Sequence, residues 1–489
     1  MTRSSGVLLH ITSLPGKYSC GSLGAEARAF IDKLVEGGFS AWQMLPVCIP
    51  DGHGSPYSSP ASFSLDPRLL DLEALWKEGL LTGIELEEAK QRTPYSVELA
   101  RLQNERLPLL RKAAERAFAD SARAEAVRER IESDPYLAGS CRYLALREKF
   151  PALTAAQFRR EEPEPEALFF WEFLHYEFLR QWEALHAYAK EKGVALIGDL
   201  PMYVADGSAD VYAFPAQFQL NEVGRPERVA GVPPDYFSPE GQLWGNPLYD
   251  WEQMERDGFS WWKARLAHAY DLFDGLRIDH FRGFASYWSV PAGAESAKEG
   301  EWIPGPREKM IPILRQSSGG KLLIAEDLGT LTPDVTELLL KSGLPGMRVF
   351  QFGFDGEGSG CPHLPHNYPE NCVAYSGTHD NNTLLGYVFH LNDAARRELC
   401  EYVGWRGDSC GCLDDIERTL LMSRADTVIF PVQDLLRYGE DTRMNVPGRA
   451  EGNWIYRVTS EQLASIDWQR FYKRNERYGR LPKPTKTEK

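Results

Sequence analysis

The sequence predicts an α/β protein of the (β/α)8 class, a TIM barrel with helical and loop insertions between its strands. Eight short β-like runs begin with apolar residues and end with polar ones, and helix-period segments lie between several of them. The fifth, sixth and seventh runs start about 25 residues apart, which is a usual spacing for a βα unit. A doubly wound open sheet is the alternative, but no Gly-x-Gly-x-x-Gly motif follows the first run.

Eight strands are predicted from these runs, and two of the helices between them have clear ends. The segment GAEARAFIDKLVEGGF carries apolar residues at helical spacing and stops at a glycine pair. The segment TPDVTELLLKSG has Thr332 as its expected N-cap, Pro333 at the first helical position and Gly343 at its end. The strand runs begin at Gly6, Ala41, Ala195, Gly275, Lys321, Gly346, Val373 and Thr427.

Two interruptions are expected within a single catalytic barrel that spans residues 1–489. Residues 67–190 lie between the second and third strands and have mostly helical periodicity. We expect them to form a helical insertion subdomain whose last helix returns to the third strand. Residues 205–265, between the third and fourth strands, are rich in Gly, Pro and aromatic residues, so we expect an insertion that contains an active-site loop.

Composition narrows the classes of function. The net charge of −15 disfavours nucleic acid as a partner, because phosphate binding needs a basic face, and it also disfavours an anionic substrate. No apolar run approaches the roughly 18–20 residues of a membrane helix, the N-terminal segment does not resemble a signal peptide, and the eight cysteines are scattered. We therefore expect a cytoplasmic protein without membrane association that binds a neutral ligand, as a monomer or a weak homo-oligomer.

Three carboxylates stand out because each closes a strand run: Asp279 after LRI, Glu326 after LLIA and Asp380 after YSGTH. In a (β/α)8 barrel, catalytic groups lie where strands end and the following loops begin. The polar ends of the runs should therefore meet at one site. The other polar residues at these ends are His10, Asp199, Arg277, His280, Asp327, His379, Gln433 and Asp434.

Two carboxylates that face each other across a cleft suit the cleavage of a glycosidic bond. One attacks the anomeric carbon, while the other protonates the leaving oxygen and later acts as a base. Arg277 lies two residues before Asp279, so both side chains share one face of a strand, and the cation is expected to keep Asp279 ionised as a nucleophile. Glu326 ends an apolar strand, where desolvation raises the pKa of a carboxyl group toward that of a useful acid.

Other interpretations of these residues remain open from the sequence alone. A single Asp at a strand end is commonly a helix N-cap or an ion-pair partner, which fits Asp327 and Asp434. The Asp-His pair at 279–280 and the His-Asp pair at 379–380 could bind a divalent metal, but neighbouring strand residues point to opposite sides, so we expect no metal and no cofactor. Ser-His-Asp hydrolysis is disfavoured because no Gly-x-Ser-x-Gly motif occurs.

Longer stretches carry a resemblance to a known family. GLRIDHFRGF, IAEDLG and SGTHDNNT resemble the catalytic strand motifs of the α-amylase clan. The chain resembles more closely the 4-α-glucanotransferases of glycoside hydrolase family 77, which are also called amylomaltases or disproportionating enzymes. The further motifs that carry this resemblance, from Gly6 to Trp454, are GVLLHITSLPG, GSPYSSPASF, GDLPMYVADGSADVY, GVPPDYFSPEGQLWGNPLYDW and RMNVPGRAEGNW.

The resemblance implies a role for each matching residue. It implies Asp279 as nucleophile, Glu326 as general acid and base, and Asp380 as the carboxylate that grips the hydroxyls of the reacting ring. Arg277 and His379 match residues that hydrogen-bond the nucleophile and the reacting sugar. The remaining expected sugar-binding residues are His280 beside the nucleophile, Tyr57 and Trp244 near the acceptor sites, Asp235, Phe237 and Gln242 on the same loop as Trp244, Asp199 after the third strand, and Asn453 in the last motif.

The resemblance also implies transfer of a glucan segment between α-1,4-glucans, with retention of configuration and without a cofactor. Water at about 55 M competes for any glycosyl intermediate, so transfer requires that water be excluded and the acceptor be held. The aromatic and proline-rich loop at residues 231–251 is expected to do this. An α-amylase-type hydrolase and a non-catalytic glucan-binding protein are the alternatives, and the three intact carboxylates argue against the second.

Overall fold

The computed structural model of the chain describes residues 3–234, 240–329, 332–354, 356, 358–405, 407 and 411–482. Twelve strands in these ranges form a closed barrel and a second, smaller sheet. In chain order they are β1 (Ser4–Leu8), β2 (Ala41–Gln43), β3 (Ala195–Leu200), β4 (Arg228–Val232), β5 (Gln242–Pro247), β6 (Gly275–Ile278), β7 (Ser286–Pro291), β8 (Glu301–Pro304), β9 (Leu322–Ala325), β10 (Gly346–Val349), β11 (Cys372–Tyr375) and β12 (Thr427–Pro431).

Eight parallel strands close the barrel in the order β1-β12-β11-β10-β9-β6-β3-β2. Each of the eight predicted runs overlaps one of these strands, so the predicted (β/α)8 fold class is confirmed. The barrel closes where β1 pairs with β12 on one side and with β2 on the other. Gly6 on β1 is required for this close approach, because a Cβ atom there would lie 2.6 Å from the carbonyl oxygen of Ala41.

The α-helices surround this barrel, and the two helices predicted in detail are present. In the described ranges, no helix is both long and apolar enough to cross a membrane. The α-helices are α1 (Ala25–Glu36), α2 (Leu72–Lys77), α3 (Gly83–Glu88), α4 (Leu99–Arg101), α5 (Leu107–Phe118), α6 (Ser121–Glu132), α7 (Pro135–Lys149), α8 (Ala155–Arg160), α9 (Pro165–Glu191), α10 (Ala209–Ala213), α11 (Trp251–Arg256), α12 (Ser260–Leu272), α13 (Met310–Ser318), α14 (Pro333–Ser342), α15 (Leu384–His390), α16 (Asp393–Val403), α17 (Cys412–Met422), α18 (Val432–Leu435), α19 (Ser460–Ser465) and α20 (Trp468–Arg477).

Helices α2 to α9 fill the long connection between β2 and β3. The longest of them, α9, contacts α5, α6 and α7 on one side and α1, α12 and β3 on the other. Its Trp182 is fully buried and donates its indole N–H to the carbonyl oxygen of Leu272 at 2.8 Å. Helix α9 therefore connects the helical part of the chain to the barrel. The grouping of residues 67–190 as an insertion subdomain stays a prediction.

The second sheet was not predicted from the sequence. It is antiparallel, with the strand order β5-β4-β7-β8. Strands β4 and β5 lie in the region that was expected to be a loop insertion, and β7 and β8 follow the fourth barrel strand. The four strands have four to six residues, each of them contains proline or glycine, and none alternates regularly between polar and apolar residues. Their pairing with one another, which local sequence does not reveal, makes them strands.

Candidate active site

The ends of the barrel strands and residues of the second sheet surround an open groove of about 600 Å³. Asp199 is buried beneath the groove, where it contacts Tyr57. Asp235 and Phe237 lie outside the described residues. The predicted site residues that line the groove are Tyr57, Gln242, Trp244, Arg277, Asp279, His280, Glu326, His379, Asp380 and Asn453.

Asp279 follows the last residue of β6, and the alternation of the strand explains its direction. Leu276 and Ile278 pack in the core, whereas Arg277 and Asp279 on the opposite face line the groove. The backbone N–H of Asp279 still donates to a carbonyl oxygen on β3 at 3.0 Å, so the barrel holds its position. The next residue, His280, has a left-handed backbone with φ 48° and ψ 49°, which turns the chain sharply at this point.

Arg277 is 4% exposed and joins two carboxylates. Its Nη1 donates to both carboxylate oxygens of Asp199, at 2.8 and 2.7 Å. Its Nη2 lies 3.0 Å from Oδ1 of Asp279. Asp199 also accepts a hydrogen bond from the hydroxyl of Tyr57 at 2.8 Å. Because Asp199 holds one side of the guanidinium, the other side stays directed at Asp279.

Glu326 follows β9, the strand next to β6 in the barrel. It is 8% exposed. Its Oε2 accepts a hydrogen bond from the backbone N–H of His280 at 2.7 Å, and its Oε1 accepts one from the backbone N–H of Leu328 at 2.7 Å. The turn at His280 therefore connects the end of the Asp279 strand directly to the Glu326 carboxyl group.

Burial lowers the acidity of both groups. It raises the pKa of Glu326 to about 7 and the pKa of Asp279 to about 6. The Arg277 guanidinium opposes this effect at both groups and contacts Asp279 directly, and the ordinary pKa of an aspartate is already lower than that of a glutamate. The sequence led us to expect that Arg277 keeps Asp279 ionised, and the structure adds that burial opposes this effect. Between the two pKa values, Asp279 is mostly ionised and Glu326 is mostly protonated.

Asp380 lies in the loop after β11, with 41% of its side chain exposed. Its Oδ1 accepts a hydrogen bond from Nδ2 of Asn445 at 2.7 Å and lies 3.3 Å from Nε2 of His379. Nη2 of Arg443 donates to the backbone carbonyl oxygen of Asp380 at 2.9 Å. Asn445 and Arg443 were not predicted as site residues. Both lie in the RMNVPGRAEGNW motif. This motif carried the family resemblance, but it did not indicate which of its side chains reach Asp380.

His379 is 8% exposed and packs among aromatic rings. It stacks on Tyr57 with a centroid distance of 5.2 Å and an interplanar angle of 8°. The ring of Trp454 lies 6.1 Å from His379 and 5.9 Å from Tyr57. Burial lowers the pKa of His379, so its imidazole is neutral near pH 7. These contacts place Tyr57 beside the residue that precedes Asp380.

Trp244 on β5 is 38% exposed and has different neighbours. Its ring meets that of His280 edge-on, at 4.8 Å and 80°. Its indole N–H donates to the side-chain oxygen of Gln242 at 3.2 Å. The resemblance placed Tyr57 and Trp244 together near the acceptor sites. In the structure, Trp244 adjoins the end of β6, whereas Tyr57 adjoins His379.

Asn453 is 6% exposed, and both ends of its amide bond to the loop that carries it. Its Oδ1 accepts a hydrogen bond from the backbone N–H of Val446 at 2.9 Å, and its Nδ2 donates to the carbonyl oxygen of Arg449 at 2.8 Å. Asn453 thus shapes the loop that presents Asn445 to the groove. Its expected contact with sugar stays a prediction.

The interpretation as an ion-pair partner is confirmed for Asp327, whereas Asp434 holds the start of a helix without being its N-cap residue, which is Thr383. Asp327 forms a buried ion pair with Arg348 at 3.0 Å and accepts a backbone hydrogen bond at the start of β10. Asp434 accepts a hydrogen bond at 2.7 Å from the N–H of Leu384, the first residue of α15. Both carboxylates therefore hold the fold in place and do not belong to the groove.

The groove combines a carboxylate beside a guanidinium, a second carboxyl group whose pKa is raised by burial, and a third carboxylate held by an amide. Such a set can attack an anomeric carbon, protonate a leaving oxygen and bind sugar hydroxyls. Among the side chains that the structure describes, no cluster of three or more His, Cys, Asp or Glu residues is placed to hold a metal ion.

Comparison with known proteins agrees with this geometry. Residues 9–463 match the family model of glycoside hydrolase family 77, described as 4-alpha-glucanotransferase. The 4-alpha-glucanotransferase of Thermus thermophilus is 40% identical over 490 residues, which cover 95% of this chain and 96% of the relative. That of Streptococcus pneumoniae is 39% identical over 478 residues, or 94% of each chain.

A solved structure gives the same result for the fold. The amylomaltase from Streptococcus agalactiae in complex with acarbose matches with a TM-score of 0.93 and 32% identity, over 98% of this chain and 100% of that chain. By sequence and by fold, this chain belongs to the 4-alpha-glucanotransferase family, glycoside hydrolase family 77, and is a glycosyltransferase of the amylomaltase type.

Proposed function

We propose that this chain transfers a segment of an α-1,4-glucan to the 4-hydroxyl of another glucan or of glucose, with retention of the anomeric configuration. One observation supports this most. Asp279 and Glu326 end neighbouring barrel strands, line one groove, and have pKa values of about 6 and about 7. Maltooligosaccharides, amylose, starch and glycogen are the proposed substrates, and these neutral chains suit a protein with a net charge of −15. The reaction that we propose uses no cofactor.

In the first half-reaction, a carboxylate oxygen of Asp279 forms a bond to the anomeric carbon of the donor glucan. The bond from that carbon to the leaving oxygen breaks, and Glu326 transfers its proton to this oxygen. Arg277, 3.0 Å from Asp279, holds the attacking carboxylate in position. The products are a glycosyl ester on Asp279, an ionised Glu326 and a shortened glucan with a free 4-hydroxyl.

In the second half-reaction, the acceptor attacks the same anomeric carbon. Glu326 takes the proton of the acceptor 4-hydroxyl as the new C–O bond forms and the ester bond to Asp279 breaks. The backbone N–H groups of His280 and Leu328, each 2.7 Å from a Glu326 oxygen, stabilise the Glu326 carboxylate while it is ionised. Two inversions at one carbon retain its configuration.

We propose that Asp380 binds two hydroxyls of the reacting sugar ring. Asn445 occupies one side of its Oδ1 at 2.7 Å, so the remaining lone pairs of this 41% exposed carboxylate are open to the groove. His379 and Tyr57 form a stacked pair beside it. The neighbours of Tyr57 favour a contact with the reacting ring, whereas those of Trp244 favour a contact with the acceptor, as the resemblance suggested.

The products formed from maltotriose alone test the proposed transfer. A glucanotransferase produces glucose together with a ladder of longer maltooligosaccharides, because each glycosyl group passes to another sugar. An α-amylase-type hydrolase produces glucose and maltose without the ladder, and a non-catalytic glucan-binding protein produces nothing. Chromatography of the products over time distinguishes the three outcomes, and the absence of oligosaccharides longer than maltotriose would contradict our proposal.

Substitution of the two proposed catalytic groups tests their assignment. Asp279→Asn removes the nucleophile and Glu326→Gln removes the proton donor, so each is expected to lower kcat for maltotriose by at least about 1000-fold. The matched control is Asp393→Asn, because the Asp393 side chain is 83% exposed at the start of α16. Turnover by Asp279→Asn within about tenfold of that of the control would refute the assignment of the nucleophile.

We also propose, from composition, that the protein is cytoplasmic and is a monomer or a weak homo-oligomer. The scattered cysteines support the location. Light scattering coupled to gel filtration tests the assembly state, and a stable dimer at low micromolar concentration would contradict it.

A further inference from the structure

Trp302 is a large aromatic residue at the groove that the proposed chemistry does not use. It lies on β8, an outer strand of the second sheet, and lines the groove with 37% of its surface exposed. No sequence motif marked it as a site residue. An indole is normally buried for its large apolar area, so an exposed one at a sugar-binding groove calls for a ligand.

Two neighbours fix the orientation of the Trp302 ring. The guanidinium carbon of Arg282 lies 3.9 Å from the ring centroid and covers one face. Trp288, directly across from it on β7, packs at 5.1 Å and 68°. Trp288 is itself held by a hydrogen bond from its indole N–H to the carbonyl oxygen of Ala297 at 2.8 Å. Arg282 therefore covers one face of the ring, and the exposed 37% of Trp302 belongs to a ring that cannot turn freely.

The chain places this face near the proposed acid and base. Glu326 acts on the oxygen that joins the reacting ring to the leaving or incoming glucan, so groups beside it belong to the acceptor side. Arg282, which covers Trp302, lines the same groove and is close enough to Glu326 to feel its charge. It also follows His280, the neighbour of Trp244, by two residues.

The second sheet sets the distance between the two exposed tryptophans. Trp244 is on β5 and Trp302 is on β8, the two outer strands of the sheet. Three strand spacings, about 14 Å, separate these two strands. A pyranose measures about 5 Å between its O1 and O4 atoms, given C–C bonds of about 1.5 Å, so the gap corresponds to about three sugar rings.

We propose that Trp302, oriented by Arg282, is an acceptor-side platform that binds a glucose unit about three rings beyond the one at Trp244. The apolar face of that pyranose lies on the open face of the indole, and its hydroxyls stay in water. This inference rests on the proposed transferase function. It makes Trp302 a specificity-determining residue that favours long acceptors over glucose and maltose, which are too short to reach it.

The length dependence of the acceptor reaction tests this proposal. Amylose serves as the donor, and acceptors of one to five glucose units carry an isotope label, so that their incorporation is measured by mass spectrometry. In the wild-type protein, kcat/KM is expected to rise with acceptor length up to four or five units. Trp302→Ala is expected to lower the ratio of kcat/KM for maltopentaose to that for glucose by about tenfold, the usual scale for loss of one stacking contact.

Controls separate this effect from a change in folding. Trp302→Leu keeps an apolar contact with Trp288 but removes the flat face, so it should lower the ratio as Trp302→Ala does, even where the alanine variant folds poorly. Trp76→Ala removes a tryptophan that is 45% exposed on α2, away from the groove, and should leave the ratio unchanged.

Three results would overturn the proposal or its basis. A ratio within twofold of wild type in both Trp302 variants excludes an acceptor role. An equal loss for all acceptors shows that Trp302 only supports the sheet, and a change confined to donor length assigns it to the donor side. If the wild-type protein transfers nothing to any acceptor, the proposed transferase function itself fails, which is a separate outcome.

Discussion

The hydrogen bond from Asn445 to Asp380 is the contact whose removal we expect to be most informative. Asn445 is 65 residues from Asp380 in the chain, and its Nδ2 lies 2.7 Å from the carboxylate. Asn445→Ala removes this donor but leaves the backbone hydrogen bond from Asn445 to the carbonyl oxygen of His379 at 3.1 Å. The loop should therefore stay in place while Asp380 loses one partner.

The magnitude follows from the charge and exposure of Asp380. A hydrogen bond to a charged group contributes about 1.5–3 kcal/mol. The Asp380 side chain is 41% exposed, so water partly replaces the amide, and the lower end of this range applies. A loss of about 1.5–2 kcal/mol in the transition state lowers kcat/KM for maltotriose by about 10- to 30-fold. Release of glucose from maltotriose, coupled to an enzymatic glucose assay, measures this rate.

A charged variant at the same position sharpens the test. Asn445→Asp puts a second carboxylate against Asp380, and like charges at this distance repel each other. We expect Asn445→Asp to lose more activity than Asn445→Ala at pH 7, because it adds this repulsion to the loss of the hydrogen bond. Glu451→Ala, at an exposed position of the same loop, is the control. If both Asn445 variants matched this control, our reasoning about Asp380 would be wrong.

Three further predictions concern the pH dependence of the reaction, the hydroxyl group of Tyr57 and the buried side chain of Arg480. Asp279 gains a proton below its pKa of about 6, and Glu326 loses its proton above its pKa of about 7. We therefore expect kcat/KM to fall on both sides of this interval. A flat pH–rate profile from about pH 5 to about pH 8 would contradict the assignment. Tyr57→Phe removes the hydrogen bond to Asp199. It should lower kcat/KM about fivefold, which corresponds to about 1 kcal/mol of transition-state stabilisation, and leave the melting temperature similar. A rate equal to wild type would show that the hydroxyl does not act through Asp199. Arg480 is fully buried and donates hydrogen bonds to five backbone carbonyl oxygens, one of which is on β1. Arg480→Ala should therefore destabilise the protein by about 3–5 kcal/mol. An unchanged melting temperature in calorimetry would refute this prediction.

The barrel and its three central carboxylates were predictable from the sequence because the signals for them are local. Strand runs and βα spacing depend on neighbours within about 25 residues, and the position of Asp279 at a strand end follows from the alternation of side chains. The second sheet was missed for the opposite reason, since its short strands show no pattern of their own. Asp235 and Phe237, which lie outside the described residues, stay predictions.

The sequence by itself determined which strand ends carry Asp279, Glu326 and Asp380, and therefore the class of chemistry. Only the tertiary structure decided how these groups are held, because several of their partners come from distant parts of the chain. Arg277 meets Asp199 across 78 residues, and Asp380 meets Asn445 across 65. Burial, which raises the pKa of both Asp279 and Glu326, likewise exists only after the strands have closed into a barrel. The raised pKa values of the two groups are therefore a property of the folded chain.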